Sequence, residues 1–238
     1  GVQITTPFEK LEAEGGKYEE IKNATKAGVD IKTDVTNDSD TEATGVSVKS
    51  TVYNKESDVI STQTDDITVA AGKTETISQS VDVANPKLWS VDSPNLYWVR
   101  TEIIQNGKVV DRTDSRFGIR YIATNPNSGF YLNGVHTKLN GVCEHSDLGS
   151  LGMETYQAAV DRRIRTLKKY GVNAIRTSHN PVSPEFIEAC DRLGMLVFEE
   201  AFDQWLYSKN SDDYHNYFNK AADGKTVVFD KAGNDNTN

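Results

Sequence analysis

Three short stretches in the second half of the chain gather the side chains that do chemistry. They read Cys143-Glu144-His145-Ser146-Asp147, then Arg176-Thr177-Ser178-His179-Asn180, then Glu199-Glu200 with Asp203 soon after. An imidazole, a guanidinium, an amide and carboxylates can together donate to and accept from a polar ligand in several directions. Each stretch also has a plain structural alternative: a loop histidine with satisfied partners, an ion-paired Arg176, or a solvated Glu199-Glu200 pair. What sets the three apart is their common position, because each follows a short apolar run.

The elements that would carry them follow from the pattern. Residues 129 to 143, "GFYLNGVHTKLNGVC", read as a hairpin around Asn133-Gly134 and then a strand through Thr137 to Val142. Residues 154 to 170 are predicted helical, with Tyr156, Val160, Ile164 and Leu167 on one face and Gly171 as a stop. "VNAI" is a short apolar strand. Ser183-Pro184 then opens a second helix as N-cap and first helical residue, Phe186, Cys190 and Leu193 continue it, and Gly194 ends it. "MLVF", 195 to 198, reads as a strand buried on both faces. Strand, helix, strand, helix, strand builds a parallel sheet by right-handed crossovers. The polar stretches fall at the C-terminal strand ends, where a β/α barrel builds its active site. Arg176, His179 and Asn180 are therefore predicted to point into a pocket.

The first half has a different texture. All four histidines and both cysteines lie after residue 123, and before it Thr, Val, Asp and Lys dominate. "GVDIKTDVTN", "TGVSVKSTVYN" and "KTETISQSVDV" alternate apolar and polar residues, and Asn106-Gly107 joins two further strands. Strands about ten residues apart suggest an antiparallel immunoglobulin-like sandwich. The expected domains are residues 1–123, the sandwich, and 124–238, the barrel part.

Composition narrows the function. The chain has 238 residues, 37% of them hydrophobic, enough for a real core. A net charge of −9 argues against a nucleic-acid partner. No apolar run approaches about 18 residues, so no membrane-spanning helix is expected. "GVQITTPFEK" shows no signal peptide, and a cytoplasmic or secreted soluble protein stays open. Cys143 and Cys190 lack metal-ligand spacing and are expected to be buried thiols.

"LWSVDSPNLYWVR", "FGIR", "FYLNGVHTKLNGVCEHSDLG" and "GVNAIRTSHNP" through "LGMLVFEEA" carry a resemblance. They are similar to glycoside hydrolase family 2, which holds β-galactosidases, β-glucuronidases and β-mannosidases. The resemblance implies an immunoglobulin-like middle domain leading into a (β/α)8 barrel, and retaining hydrolysis of a β-linked sugar by two glutamates. It matches His179 to a residue that contacts sugar hydroxyls, Asp147 to one that holds the sugar, and Arg176 to an arginine near the nucleophile. Asn180 and Glu200 join them as candidate substrate-binding residues.

The family's acid/base glutamate follows an asparagine on strand four, and its nucleophile lies on strand seven. After Glu200 this chain has no Asn-Glu pair. Retaining chemistry needs two carboxyls about 5–5.5 Å apart, and neighbours on a strand point to opposite faces, so Glu199 and Glu200 are not that pair. The two catalytic glutamates are therefore expected beyond Asn238, the last residue of the sequence. The chain is thus expected to be a fragment holding the sandwich and the first three βα units of an incomplete barrel. It would carry part of the sugar-binding wall without the catalytic glutamates. The parent read first is a β-galactosidase acting on a β-glycoside or oligosaccharide. The alternative is a non-catalytic carbohydrate-binding or adhesion module. No cofactor is expected in this chain, Mg²⁺ is implied for the complete galactosidase, and homo-oligomer formation is left open.

Overall fold

The structure, a computed structural model, describes residues 1–7, 25–200, 228–229 and 235–236. Seven strands form the sandwich. One sheet has the order β1 (Val2–Thr5), β2 (Lys26–Thr36), β5 (Thr74–Ala84). The other has the order β4 (Val59–Val69), β3 (Ala43–Tyr53), β6 (Tyr97–Gln105), β7 (Lys108–Phe117). All the pairings are antiparallel. Period-2 alternation points Val29, Ile31, Val52, Val81, Val83, Tyr97 and Val99 inward, and Ile119 closes the same core. Val35, Val48 and Val69 form a second cluster. The Asn106-Gly107 turn has φ of 50° and 77°, the left-handed pair that a two-residue hairpin demands.

Strands β1 and β4 were not legible from the sequence. In β4 three of the four half-buried positions are held by Ser61, Gln63 and Asp65, and aliphatics occupy the inward face only at Ile67 and Val69. These polar groups are satisfied inside. Gln79 donates to Asp65 at 2.8 Å and to the Val48 carbonyl at 3.0 Å, and accepts from Ser50 at 2.6 Å.

Beyond the sandwich, β8 (Ile122–Asn125), β9 (Gly129–Leu132) and β10 (Val135–His136) form a meander turning at Asn133-Gly134. Then β11 (Gly141–Glu144), α1 (Gln157–Lys169), β12 (Ala174–Thr177), α2 (Pro184–Leu193) and β13 (Leu196–Phe198) build a parallel sheet in the order β11-β12-β13. This is an immunoglobulin-like sandwich followed by the start of a (β/α)8 barrel. Residues 201–227, 230–234 and 237–238, Asp203 among them, lie outside the described residues, so of the third expected βα unit only the strand is described. Asn238, beyond which the catalytic glutamates are expected, is one of them, and the structure therefore does not bear on where those glutamates lie. Near the end of the sequence, β14 (Val228–Phe229) pairs antiparallel with β15 (Asp235–Asn236).

Several boundaries differ from expectation. The first barrel strand is 141–144 rather than 137–142, because its ladder with β12 begins only at Gly141 opposite Ala174. Residues 138–140 cross to the sheet, tied by Asn173, which accepts from the Asn140 N–H at 2.8 Å and donates to the Lys138 carbonyl at 2.9 Å. The second strand starts two residues late, so Arg176 lies within it. Tyr156 precedes α1 and is exposed, while Val160 and Ile164 are buried. Ser183 caps α2 as expected, its Oγ accepting from the Phe186 N–H.

Phe198, expected inside, is 71% exposed. Cys190 is buried, but Cys143, also expected inside, is exposed. Register explains both. Cys143 pairs with Arg176 and Arg176 with Phe198, so the three share one sheet face, opposite the face that α1 and α2 cover. Toward the N-terminal strand ends the same face carries Ala174 and Leu196, which pack with Trp89 and Leu132, while Cys143, Arg176 and Phe198 at the other end are exposed.

Sandwich and barrel start share a small core of Trp89, Leu132 and Leu196. Lys168 of α1 spans it, donating to the carbonyls of Val91 at 2.5 Å and Gly194 at 2.9 Å. Gly194 has φ of 78°, and a Cβ there would stand 2.2 Å from the Val91 carbonyl oxygen. Both the conformation and the contact therefore select glycine. Gly194→Ala is expected to cost about 2 kcal/mol, the left-handed penalty plus displacement of the Val91 loop. Thermal unfolding of the variant would check this, and an unchanged midpoint would refute the close approach.

Candidate sugar-binding site

The three strand ends meet. Arg176, pointing out of β12, donates through Nε to Oε1 of Glu200 at 2.6 Å, and its Nη2 lies 2.5 Å from the same oxygen in an ion pair. Oε2 of the same carboxylate lies 3.0 Å from Nδ1 of His179. The Glu200 side chain is only 16% exposed, whereas that of His179 is 49% exposed. Glu200 is anchored from behind by its backbone N–H, which donates to Thr177 Oγ1 at 3.0 Å. Toward β11, the His145 and His179 rings meet edge to face at 5.8 Å, and Asn180 donates to Ser146 Oγ at 3.0 Å. The Ser178 N–H donates to the Glu144 carbonyl, and the Ser178–His179 peptide is cis.

Of the candidate residues, Arg176, His179 and Glu200 thus form one connected cluster, and Asn180 flanks it through Ser146. Asp147 stands apart on the β11 loop. It is exposed, and its Oδ1 accepts from the Gly149 N–H at 3.3 Å. Glu199 turns to the other side, as alternation requires, and accepts from the Val182 N–H at 3.4 Å. Arg163, on the basic face of α1, was not singled out in the sequence. It pairs with Glu144 at 2.8 Å and donates to the Asp147 carbonyl, holding the β11 loop. A helical arginine among several gives no sequence signal of that reach.

The electrostatics are mutual. Contacts with Cys143 and then with Glu200 hold the Arg176 guanidinium more firmly protonated than usual. Arg176 and then Ser178 pull the Cys143 thiol below its ordinary range. Burial pushes the Glu200 carboxyl up, but hydrogen bonds from His179 and Arg176 outweigh it, and the net direction is down.

Among the described residues no three His, Cys, Asp or Glu side chains are placed to hold a metal ion. In the sandwich, Trp89 and Tyr97 are buried and only Trp98 reaches the surface, with Arg116 stacked 4.5 Å from its ring centre. No helix among the described residues is long and apolar enough to cross a membrane.

A sandwich leading into barrel strands whose C-terminal ends carry clustered imidazole, guanidinium, amide and carboxylate groups is the arrangement in which a modular β/α-barrel protein builds a polar ligand site. The family models place it further. Glycosyl hydrolases family 2 matches residues 17–120, and the TIM barrel domain of that family matches residues 124–229. The chain belongs to glycosyl hydrolases family 2. It is 39% identical over 195 residues to a β-galactosidase of Bacteroides ovatus, covering 82% of this chain and 23% of that protein. It is 32% identical over 119 residues to a β-glucuronidase of Bacteroides fragilis, covering 50% of this chain and 17% of that one. A solved family 2 structure from Bacteroides cellulosilyticus matches with a TM-score of 0.78 at 35% identity, covering 92% of this chain and 27% of its own. Bacteroides uniformis β-glucuronidase matches with a TM-score of 0.75 at 28% identity, covering 89% and 24%. The chain spans about a quarter or less of the length of these relatives.

Proposed function

We propose that this chain forms part of the sugar-binding wall of a retaining β-glycosidase that acts on neutral β-linked sugars, β-galactosides first. The observation that carries the reading is the pairing of cations at the strand ends. Arg176 is neutralised by Glu200 and Arg163 by Glu144, while Asp147 and Glu199 make no ion pair with either arginine. Such a wall offers hydroxyl partners in several directions, and neither of its arginines is free to meet a sugar carboxylate. The similarity to a galactosidase supports the reading, and the glucuronidase relatives make uronate the competing substrate. In the complete protein, kcat/KM for nitrophenyl β-galactoside is expected to exceed that for the β-glucuronide by about 10² or more. The reverse preference would overturn the assignment.

The 238-residue chain by itself is expected to show no turnover of nitrophenyl β-glycosides. Both oxygens of Glu200 are engaged by Arg176 and His179, and Glu199 accepts from the Val182 N–H, so the two adjacent glutamates do not form a pair facing each other across a scissile bond. Turnover that persisted through purification and vanished in Glu200→Ala would refute this.

A further inference from the structure

We propose that Glu200 is a positioning residue that fixes the tautomer of His179, holding the ring proton on Nδ1 and presenting a bare Nε2 to the ligand, while it locks Arg176 in the same contact. The proposal rests on reading His179 as a sugar-contacting residue.

Two neighbours make opposite demands on Nδ1. Glu200 Oε2 stands at 3.0 Å and Arg176 Nη2 at 3.4 Å. A carboxylate only accepts and a guanidinium only donates, so the two cannot both hydrogen-bond to Nδ1. The shorter contact is to the carboxylate. Nη2 also lies 2.5 Å from Oε1 of the same carboxylate, the nearer and charged partner. Glu200 is held ionised, since its partners outweigh the effect of burial. With the proton on Nε2 instead, two lone pairs would face each other at 3.0 Å. The nitrogen bonded to the protein thus decides what the other nitrogen offers.

An imidazole free in water favours the opposite tautomer, so Glu200 imposes a state the ring would not choose. The edge-to-face packing on His145 holds the plane of the ring. The consequence is directional. Neutral His179 offers an acceptor at Nε2 and so selects a group that donates. A sugar hydroxyl donates, whereas an ionised sugar carboxylate has no proton to give.

The test is long-range ¹⁵N–¹H correlation on the ¹⁵N-histidine-labelled 238-residue chain at neutral pH, with His179→Gln to assign the signal. His179 is expected to show a protonated Nδ1 and an unprotonated Nε2. In Glu200→Gln one carbonyl oxygen cannot serve both Arg176 and His179, and the population is expected to move toward the Nε2–H form. A wild-type Nε2–H tautomer would overturn the proposal, as would a tautomer indifferent to Glu200→Gln. The wild-type measurement needs no variant, so a Glu200→Gln chain that failed to fold would leave it decisive. In the complete protein, Glu200→Gln is expected to lower kcat/KM about tenfold for nitrophenyl β-galactoside, mainly through kcat, since the oriented contact tightens in the transition state. An Nδ1–H tautomer together with kinetics unmoved by His179→Ala would instead remove the sugar-contact reading and leave the positioning of the ring intact.

Discussion

Replacing His179 by alanine in the complete protein is expected to lower kcat/KM for a nitrophenyl β-galactoside by about 10² or more, equivalent to about 2.7 kcal/mol of transition-state binding. The side chain is half exposed at the end of β12 and fixed on one edge by Glu200. Its free edge is pre-aimed, so it loses little freedom when a ligand arrives. A hydrogen bond to a sugar hydroxyl strengthens as the ring distorts toward the transition state, so kcat carries most of the loss. Stability should hardly change, because removing an exposed ring leaves Arg176 still paired to Glu200 at Oε1. That separation makes the result decisive. A variant with near-native kinetics and a lowered melting temperature would make His179 a loop-stabilising residue and withdraw it from the site.

The site was legible as three polar stretches because a β/α barrel puts such residues at strand ends, and apolar runs mark those ends in the sequence. His179, Arg176 and Asn180 could be placed that way. Their partners could not. Glu200 reaches Arg176 across 24 residues of sequence, and which of its oxygens meets which donor depends on the pairing of β12 with β13. For Asp147 the strand-end pattern gives a position but no direction, and its carboxylate turns to its own loop. Cys143 was misplaced for a related reason. A thiol in an apolar strand is usually buried, but the β11–β12 register sets this one beside Arg176 on the open face. In the sandwich, alternation found the strands whose inward positions are Val and Ile. It missed β4, where Gln63 and Asp65 share a polar network with Gln79 that only the folded pairing satisfies. Turn chemistry was the most reliable signal, since Asn106-Gly107, Asn133-Gly134 and Ser183-Pro184 act through local backbone geometry.

Trp89→Ala is expected to destabilise the 238-residue chain by about 3–5 kcal/mol, the cost of deleting a large buried aromatic. Trp89 is 2% exposed and belongs to the core that joins sandwich to barrel start, with Leu132 and Leu196. Its surroundings cannot easily collapse into the space. The β-carbon of Gly118 is missing for the sake of the indole, since one there would stand 3.0 Å from Trp89 Cβ. The Arg120 guanidinium lies 4.8 Å from the ring centre, and burial weakens its hold on its proton. The indole N–H donates to the Asp191 carbonyl in α2 at 2.7 Å, and Asn133 donates to the Trp89 carbonyl at 3.0 Å. Alanine removes the apolar contact, the cation–π partner of a buried arginine and a hydrogen bond that crosses between the two parts. Trp89→Phe separates these contributions. It keeps most of the bulk and should lose about 1–2 kcal/mol, for the missing N–H and the smaller ring. Denaturant unfolding of both variants would decide the matter. If Trp89→Ala stayed within about 1 kcal/mol of wild type, the sandwich and the barrel strands would be held together by something other than this core. If alanine and phenylalanine cost the same, the hydrogen bond to α2 would be the dominant tie and the packing around Gly118 incidental.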